Sequence, residues 1–135
     1  MRYMLDTDIC IYTINERPAA VLRAFRQHQN AGLGISSVTA AELFFGVART
    51  GSQRNLDALR RFLATLEIAP FDAPAAEVSG SMRAWLASQG TPIGPYDLLI
   101  AAHAHALGAT LVSNNTREFQ RVPGLKVENW ASEAP

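Results

Sequence analysis

Three carboxylates stand in apolar company. Asp6 closes the run Tyr3-Met4-Leu5, Glu42 sits in "TAAELFFG", and Asp97 opens "YDLLIAAHAHALGA". An acid next to a buried segment is costly unless it is hydrogen-bonded, protonated or bound to a cation. Two carboxylates about 5 Å apart repel by roughly 3 kcal/mol at an effective dielectric of about 20. Three gathered in one crevice would need protons or cations. An oxygen-only donor set suits Mg²⁺, or Mn²⁺ in its place. Such a site supports phosphodiester hydrolysis, because the cation lowers the pKa of a water and steadies charge on the phosphate during in-line displacement. Other chemistries lack their residues. No Cys/His spacing resembles a zinc site, and neither a Ser-His-Asp nor a Cys-His arrangement offers a nucleophile. No G-x-x-x-x-G-K-[ST] or G-x-G-x-x-G is present for a nucleotide cofactor. His103 and His105, two apart on one helix, read as structural or surface residues.

Each acid also has a structural reading. Asp6 suits the N-cap of the helix that follows. Thr39 and Glu42 fit a T-x-x-E capping box. Asp97 in a first helical turn gains from the macrodipole. Asp8, two residues beyond Asp6, is either an N-terminal helix charge or an outer helper of the site. The convergence of Asp6, Glu42 and Asp97 is what would separate chemistry from capping.

The elements that must position these acids alternate. "YML" (3–5) reads as a strand and "TDICIYTIN" (7–15) as a short helix. Pro18 opens a second helix through 30, with Val21, Leu22 and Phe25 on its apolar face. "LGIS" (33–36) is a strand, and 37–50 a helix stopped by Gly51. Residues 52–66 are amphipathic, with Leu56, Leu59, Phe62, Leu63 and Leu66 on one face. A strand at 67–71 and a helix at 73–90 follow. "TPIGP" (91–95) is a loop, and Pro95 opens a helix apolar on most sides. Residues 110–113 form a strand that runs into polar "NNTREF", and 125–130 hold a last strand. This alternation implies an α/β domain with a mostly parallel sheet and right-handed crossovers. Such sheets bind ligands outside the carboxyl ends of their strands, where Asp6 and "SNN" (113–115) fall.

The bulk numbers set the frame. The chain of 135 residues reads as one domain over 1–135, and 48% hydrophobic residues rule against wholesale disorder. No apolar run approaches the ~20 residues of a membrane span, and no signal-peptide pattern opens the chain. A lone cysteine, Cys10, forbids an internal disulfide and points to the cytoplasm. Net charge is zero, against the basic excess of a non-specific polyanion binder. Lys126 is the single lysine, so the other side-chain cations are arginines, which suit bidentate phosphate contacts.

"MLDTDICIYTI", "ISSVTAAELFFG", "GTPIGPYDLLIAAHA" and "LVSNNTREFQRVPGLKVENW" together resemble the VapC toxins of the PIN-domain ribonucleases, in order and spacing over residues 3–130. The resemblance implies a three-layer α/β/α sandwich around a central, mostly parallel sheet. It implies Mg²⁺-dependent cleavage of RNA, structured RNA such as tRNA included, to 5′-phosphate and 3′-hydroxyl ends. It implies a VapB antitoxin partner and a homodimer. By position, Asp6, Glu42 and Asp97 match the family's acids as catalytic residues and metal ligands, and Thr7 matches its small hydroxyl residue beside the first acid. Two positions depart from the pattern. Asp8 stands where many members have Asn, and Asn114 and Asn115 stand where many carry a fourth acid. Glu118 is the nearest carboxylate that could swing in, and Asn115 could hold a metal-bound water.

Rival readings come from other classes. "LDTD" also suits a haloacid-dehalogenase-like phosphatase using Asp6 and Asp8. A phospho-receiver domain would have only Asp72 as its acceptor. A PIN-like binding module without turnover is the non-catalytic rival. An antitoxin helix would find apolar landing faces at Ile11, Phe44, Phe45 and Leu56 to Phe62. Arg49, Arg54, Arg83 and Arg117 are candidates for a basic rim.

Overall fold

The computed structural model describes residues 1–131. Its strands are β1 (Tyr3–Leu5), β2 (Leu33–Ser36), β3 (Glu67–Ala69), β4 (Thr110–Val112) and β5 (Val127–Glu128). They form one sheet in the order β3-β2-β1-β4-β5, with all four neighbouring pairs parallel. The helices are α1 (Thr7–Asn15), α2 (Ala19–His28), α3 (Ser37–Thr50), α4 (Gln53–Leu63), α5 (Ala73–Ser88), α6 (Pro95–Leu107) and α7 (Thr116–Phe119).

The pleat divides the core into two layers. Tyr3 and Leu5 of β1 and Leu33 and Ile35 of β2 face Val21 and Phe25 of α2, Leu43 of α3, and Leu59 and Leu63 of α4. Met4 and Leu111 face the other way, onto Ile100, Ala101 and Ala104 of α6 and Phe119 of α7. The sequence expectation of a three-layer α/β/α sandwich therefore holds. In α6, residues 100–104 are all buried, including His103. The helix lies between the sheet and α5, which explains its apolar character on most sides.

Several element boundaries differ from the sequence reading. The capping Pro18 precedes α2, which ends at His28 and passes into a 3₁₀ turn over Gln29–Ala31. Helix α4 ends at Leu63 and β3 at Ala69, before Pro70 breaks the ladder. Within the polar stretch after β4 lies the short α7, and β5 covers only part of 125–130. Gly51 ends α3 with φ +64°, as a left-handed C-cap should.

Strand β1 is flanked by β2 on one side and β4 on the other. The chain thus winds away from β1 in both directions. That opens a crevice at the carboxyl ends of β1 and β4, the usual ligand position in parallel α/β sheets. Asp6 and Ser113 are the residues that follow those two strands.

Candidate active site

Asp6 is buried at 5% exposure and held by two donors. Its Oδ1 accepts the Thr7 N–H at 2.8 Å, which caps α1, and its Oδ2 accepts the Ser113 hydroxyl at 2.8 Å. The capping and site readings of Asp6 are therefore compatible. Burial pushes its pKa above the usual carboxylate range. The two hydrogen bonds oppose that shift and the Glu118 charge adds to it.

Glu42 projects from the second turn of α3, and its Oε1 accepts the Thr7 hydroxyl at 3.0 Å. The capping box expected from Thr39 and Glu42 does not form. Ser36 caps α3 instead, its hydroxyl accepting the Val38 N–H at 3.1 Å. The Thr39 hydroxyl is buried without a hydrogen-bond partner among the described residues. One residue, Thr7, thus ties the first acid to the second: its N–H serves Asp6 and its hydroxyl serves Glu42.

Asp97 lies in the first turn of α6. Burial, then the charges of Asp6, Glu118 and Glu42, push its pKa up to about 7. Glu118 lies opposite. Burial works against its ionisation. The Gly94 N–H, the Asn115 amide, a hydrogen bond from Asp97 and the Arg121 charge outweigh it and hold the pKa below the ordinary value. Its Oε1 accepts the Gly94 N–H at 2.7 Å and its Oε2 the Asn115 side-chain amide at 2.6 Å. Asp97 is thus pushed toward its protonated form and Glu118 held toward its charged one.

The supporting candidates separate. Asn115 donates to Glu118 and so orients a carboxylate. The Oδ1 of Asp8 accepts the Ile9 N–H at 2.7 Å and its Oδ2 the Asn114 N–H at 3.2 Å. Burial and the Asp6 charge raise the Asp8 pKa to about 6. Asp8 occupies the first turn of α1 and binds backbone with both oxygens, so it feels the Asp6 charge without offering a free oxygen to the site. The sequence placed "SNN" (113–115) at a strand end without giving Ser113 a role, and Gly94 carried no signal of its own. His103 contacts Ser36 Oγ through Nδ1 at 2.8 Å and meets the Phe71 ring edge-on, while His105 is exposed.

The donor set fits a hard divalent cation in kind: four carboxylates, no thiolate, no imidazole. Asp6, Glu42, Asp97 and Glu118 are the side chains that could hold one. Among the described residues, no three such groups are already closed around a common point. The phosphatase reading finds no matching geometry. Lys126 lies in the segment before β5, and both Asp8 oxygens are taken by backbone N–H groups. Asp72, the receiver candidate, caps α5 by accepting the Ala75 N–H at 3.2 Å.

Next to the acids, a groove of about 300 Å³ runs between α1, α3 and α4. Thr7 and Glu42 stand on its wall, and Ile11, Ile14, Leu43, Val47 and Leu59 line it. This narrows the apolar landing face expected from sequence. Phe44 and Leu56 border a separate depression. Phe62 turns inward to Phe25, with ring centroids 6.0 Å apart. Phe45 stands outside, under the Arg49 guanidinium at 5.3 Å.

Comparison with known proteins gives the family. The PIN domain model matches residues 3–125. The chain is 45% identical over 132 residues to the tRNA(fMet)-specific endonuclease VapC of Shigella flexneri, covering 97% of this chain and 99% of the relative. Its fold matches VapBC2 from Rickettsia felis bound to a promoter DNA fragment, with TM-score 0.88, 42% identity, and coverage of 96% of this chain and 99% of the other. It also matches DNA-bound VapBC from Salmonella typhimurium, with TM-score 0.89, 41% identity, and coverage of 96% and 98%. With the family model spanning most of the sequence and relatives matched end to end, the chain belongs to the PIN-domain family, on its VapC branch.

Proposed function

We propose that the protein is a Mg²⁺-dependent endoribonuclease toxin of the VapC kind, acting on structured RNA such as tRNA. The observation that supports the reading is the mutual influence of Asp6, Asp97 and Glu118 near the carboxyl ends of β1 and β4, with Glu42 tied in through Thr7, in a chain so similar to a tRNA endonuclease. When bound, the cation supplies an acidified water and a counter-charge for the phosphate. The chain's own part is to hold four carboxylates in place. Asp6, its pKa raised by burial, is suited to accept the proton of the attacking water, with Glu42 beside it. Positive charge beside Asp97 would favour its ionised form. Exposed arginines such as Arg117, next to Glu118, bind the RNA backbone.

The groove between α1, α3 and α4 receives an apolar helix of a VapB-type antitoxin, which fits the apolar character of Ile11, Ile14 and Val47. Two copies of the chain pair to place two acid clusters in one cleft. The protein works in the cytoplasm. No helix among the described residues is long and apolar enough to cross a membrane.

The test uses the purified chain, a folded tRNA, and either Mg²⁺ or EDTA. Cleavage should need Mg²⁺, leave 5′-phosphate and 3′-hydroxyl ends, and vanish in Asp97→Asn. Cutting in EDTA, or 2′,3′-cyclic phosphate ends, would refute the reading. A folded chain that binds RNA in Mg²⁺ but never cuts it would favour the non-catalytic binding module.

A further inference from the structure

Ser113 and Asn115 carry no charge, yet they join two of the acids. Ser113 is fully buried at the end of β4. Its hydroxyl donates to Asp6 Oδ2 at 2.8 Å and accepts the Asn115 N–H at 2.9 Å. The Asn115 amide donates to Glu118 Oε2 at 2.6 Å, and Glu118 Oε1 accepts the Gly94 N–H at 2.7 Å. Gly94 is the residue from which α6, with Asp97 in its first turn, departs. A continuous strap of hydrogen bonds thus runs from the end of β1, through the turn after β4, to the start of α6.

The direction of the donors matters. A hydroxyl has one proton, and this one is committed to Asp6, which leaves a lone pair for the Asn115 N–H. The outer links, hydroxyl, side-chain amide and backbone N–H, each point at a carboxylate oxygen. They fix where Asp6 and Glu118 sit and offset part of the cost of crowding them. The turn itself is pinned from outside. The Asn114 N–H goes to Asp8, its side-chain amide to the Tyr12 hydroxyl at 3.3 Å, and its Oδ1 accepts from Asn129 at 3.2 Å. Asp8 thereby anchors the strap's turn to α1.

We propose that Ser113 and Asn115 are positioning residues: the strap they form orients Asp6 and Glu118, two of the carboxylates that would hold a divalent cation. The proposal rests on the metal-dependent nuclease reading, but its test can be read without RNA.

Mn²⁺ alone is titrated calorimetrically into the full chain, Ser113→Ala, Ser113→Thr, Asn115→Ala and the double alanine variant, with thermal melts for folding. Ser113→Ala and Asn115→Ala should each weaken Mn²⁺ binding by about 10-fold or more, the usual cost of losing a group that orients a metal ligand. Ser113→Thr, which keeps the hydroxyl, should stay within about 3-fold of the parent. The double variant should be no weaker than the worse single, because either cut opens the same strap. In RNA cleavage, kcat should fall while KM stays within about 3-fold. Should Ser113→Ala fail to fold, Asn115→Ala, whose side chain is exposed, carries the test. Unchanged Mn²⁺ affinity in the alanine variants, additive losses in the double, or no Mn²⁺ binding by the parent would overturn the proposal. A parent that binds Mn²⁺ with this dependence but leaves RNA intact supports the strap and refutes the nuclease reading.

Discussion

The acid cluster and the groove between α1, α3 and α4 meet at Thr7 and Glu42, yet opposite forces shape them. In the cluster, charge is crowded and each placement is made by a directed hydrogen bond: Thr7 and Ser113 to Asp6, Asn115 and Gly94 to Glu118. In the groove, Ile11, Ile14, Leu43, Val47 and Leu59 make a wall that is partly open to water, with Ile11 at 44% exposure. The cluster lowers stability in order to bind charge. The groove leaves apolar area unburied, at about 25 cal/mol per Å², for a partner to cover. Their contact at Thr7 and Glu42 explains how a protein seated in the groove could act on the acids beside it.

The sharpest break of this comparison is in the cluster. Asp6→Ala or Asp97→Ala should lower RNA cleavage by on the order of 10³-fold with the circular-dichroism spectrum unchanged. The groove should respond in the other assay. Val47→Arg should weaken antitoxin binding by about 2 kcal/mol, roughly 30-fold, while cleavage by the free protein stays unchanged. Loss of both activities together in Val47→Arg would mean that the two regions are not separable. Thr7→Val removes the bond to Glu42 at the shared border and should slow cleavage about 10-fold, with Thr7→Ser restoring it.

The smallest effect is on stability. Asp97, with its folded pKa near 7 against an ordinary 3.8, binds more protons folded than unfolded between those values. Its contribution is full below about pH 4 and is lost as pH rises through 7. Asp6 and Asp8, also raised, act in the same sense. Glu118, held low, loses its contribution only below its ordinary value and stays out of the range from pH 5 to 8, whereas His103, its pKa lowered by burial, opposes part of the trend there. The metal-free protein should therefore melt a few degrees higher at pH 5 than at pH 8. Mg²⁺ should raise the melting temperature more at pH 8 than at pH 5, since protons and cation compete for the same oxygens. A metal-free melting temperature that rises from pH 5 to pH 8 would contradict the raised Asp97 pKa.

Much of this was legible along the chain. Strand 33–36 and helix 37–50 have the bounds the sequence predicts, because an apolar run and a terminal glycine mark them locally. Helix α7 was hidden because "NNTREF" is polar and the helix is short, with only Phe119 buried against the core. The expected capping box failed because Thr39 lies one turn inside α3 and Ser36 already caps it. Glu42 then found Thr7, 35 residues away, a partner no local pattern announces.

By itself, the sequence determined the alternation of strands and helices, the apolar faces that pair them, and the presence of acids at element ends. These depend on residue type and short-range periodicity. Only the tertiary structure decided that Asp6, Asp97 and Glu118 lie near enough to feel one another's charge, that Thr7 joins Asp6 to Glu42, and that Asn115 donates to a carboxylate. Those outcomes depend on distances between residues far apart in the chain, which the parallel order β2-β1-β4 sets and no local window contains.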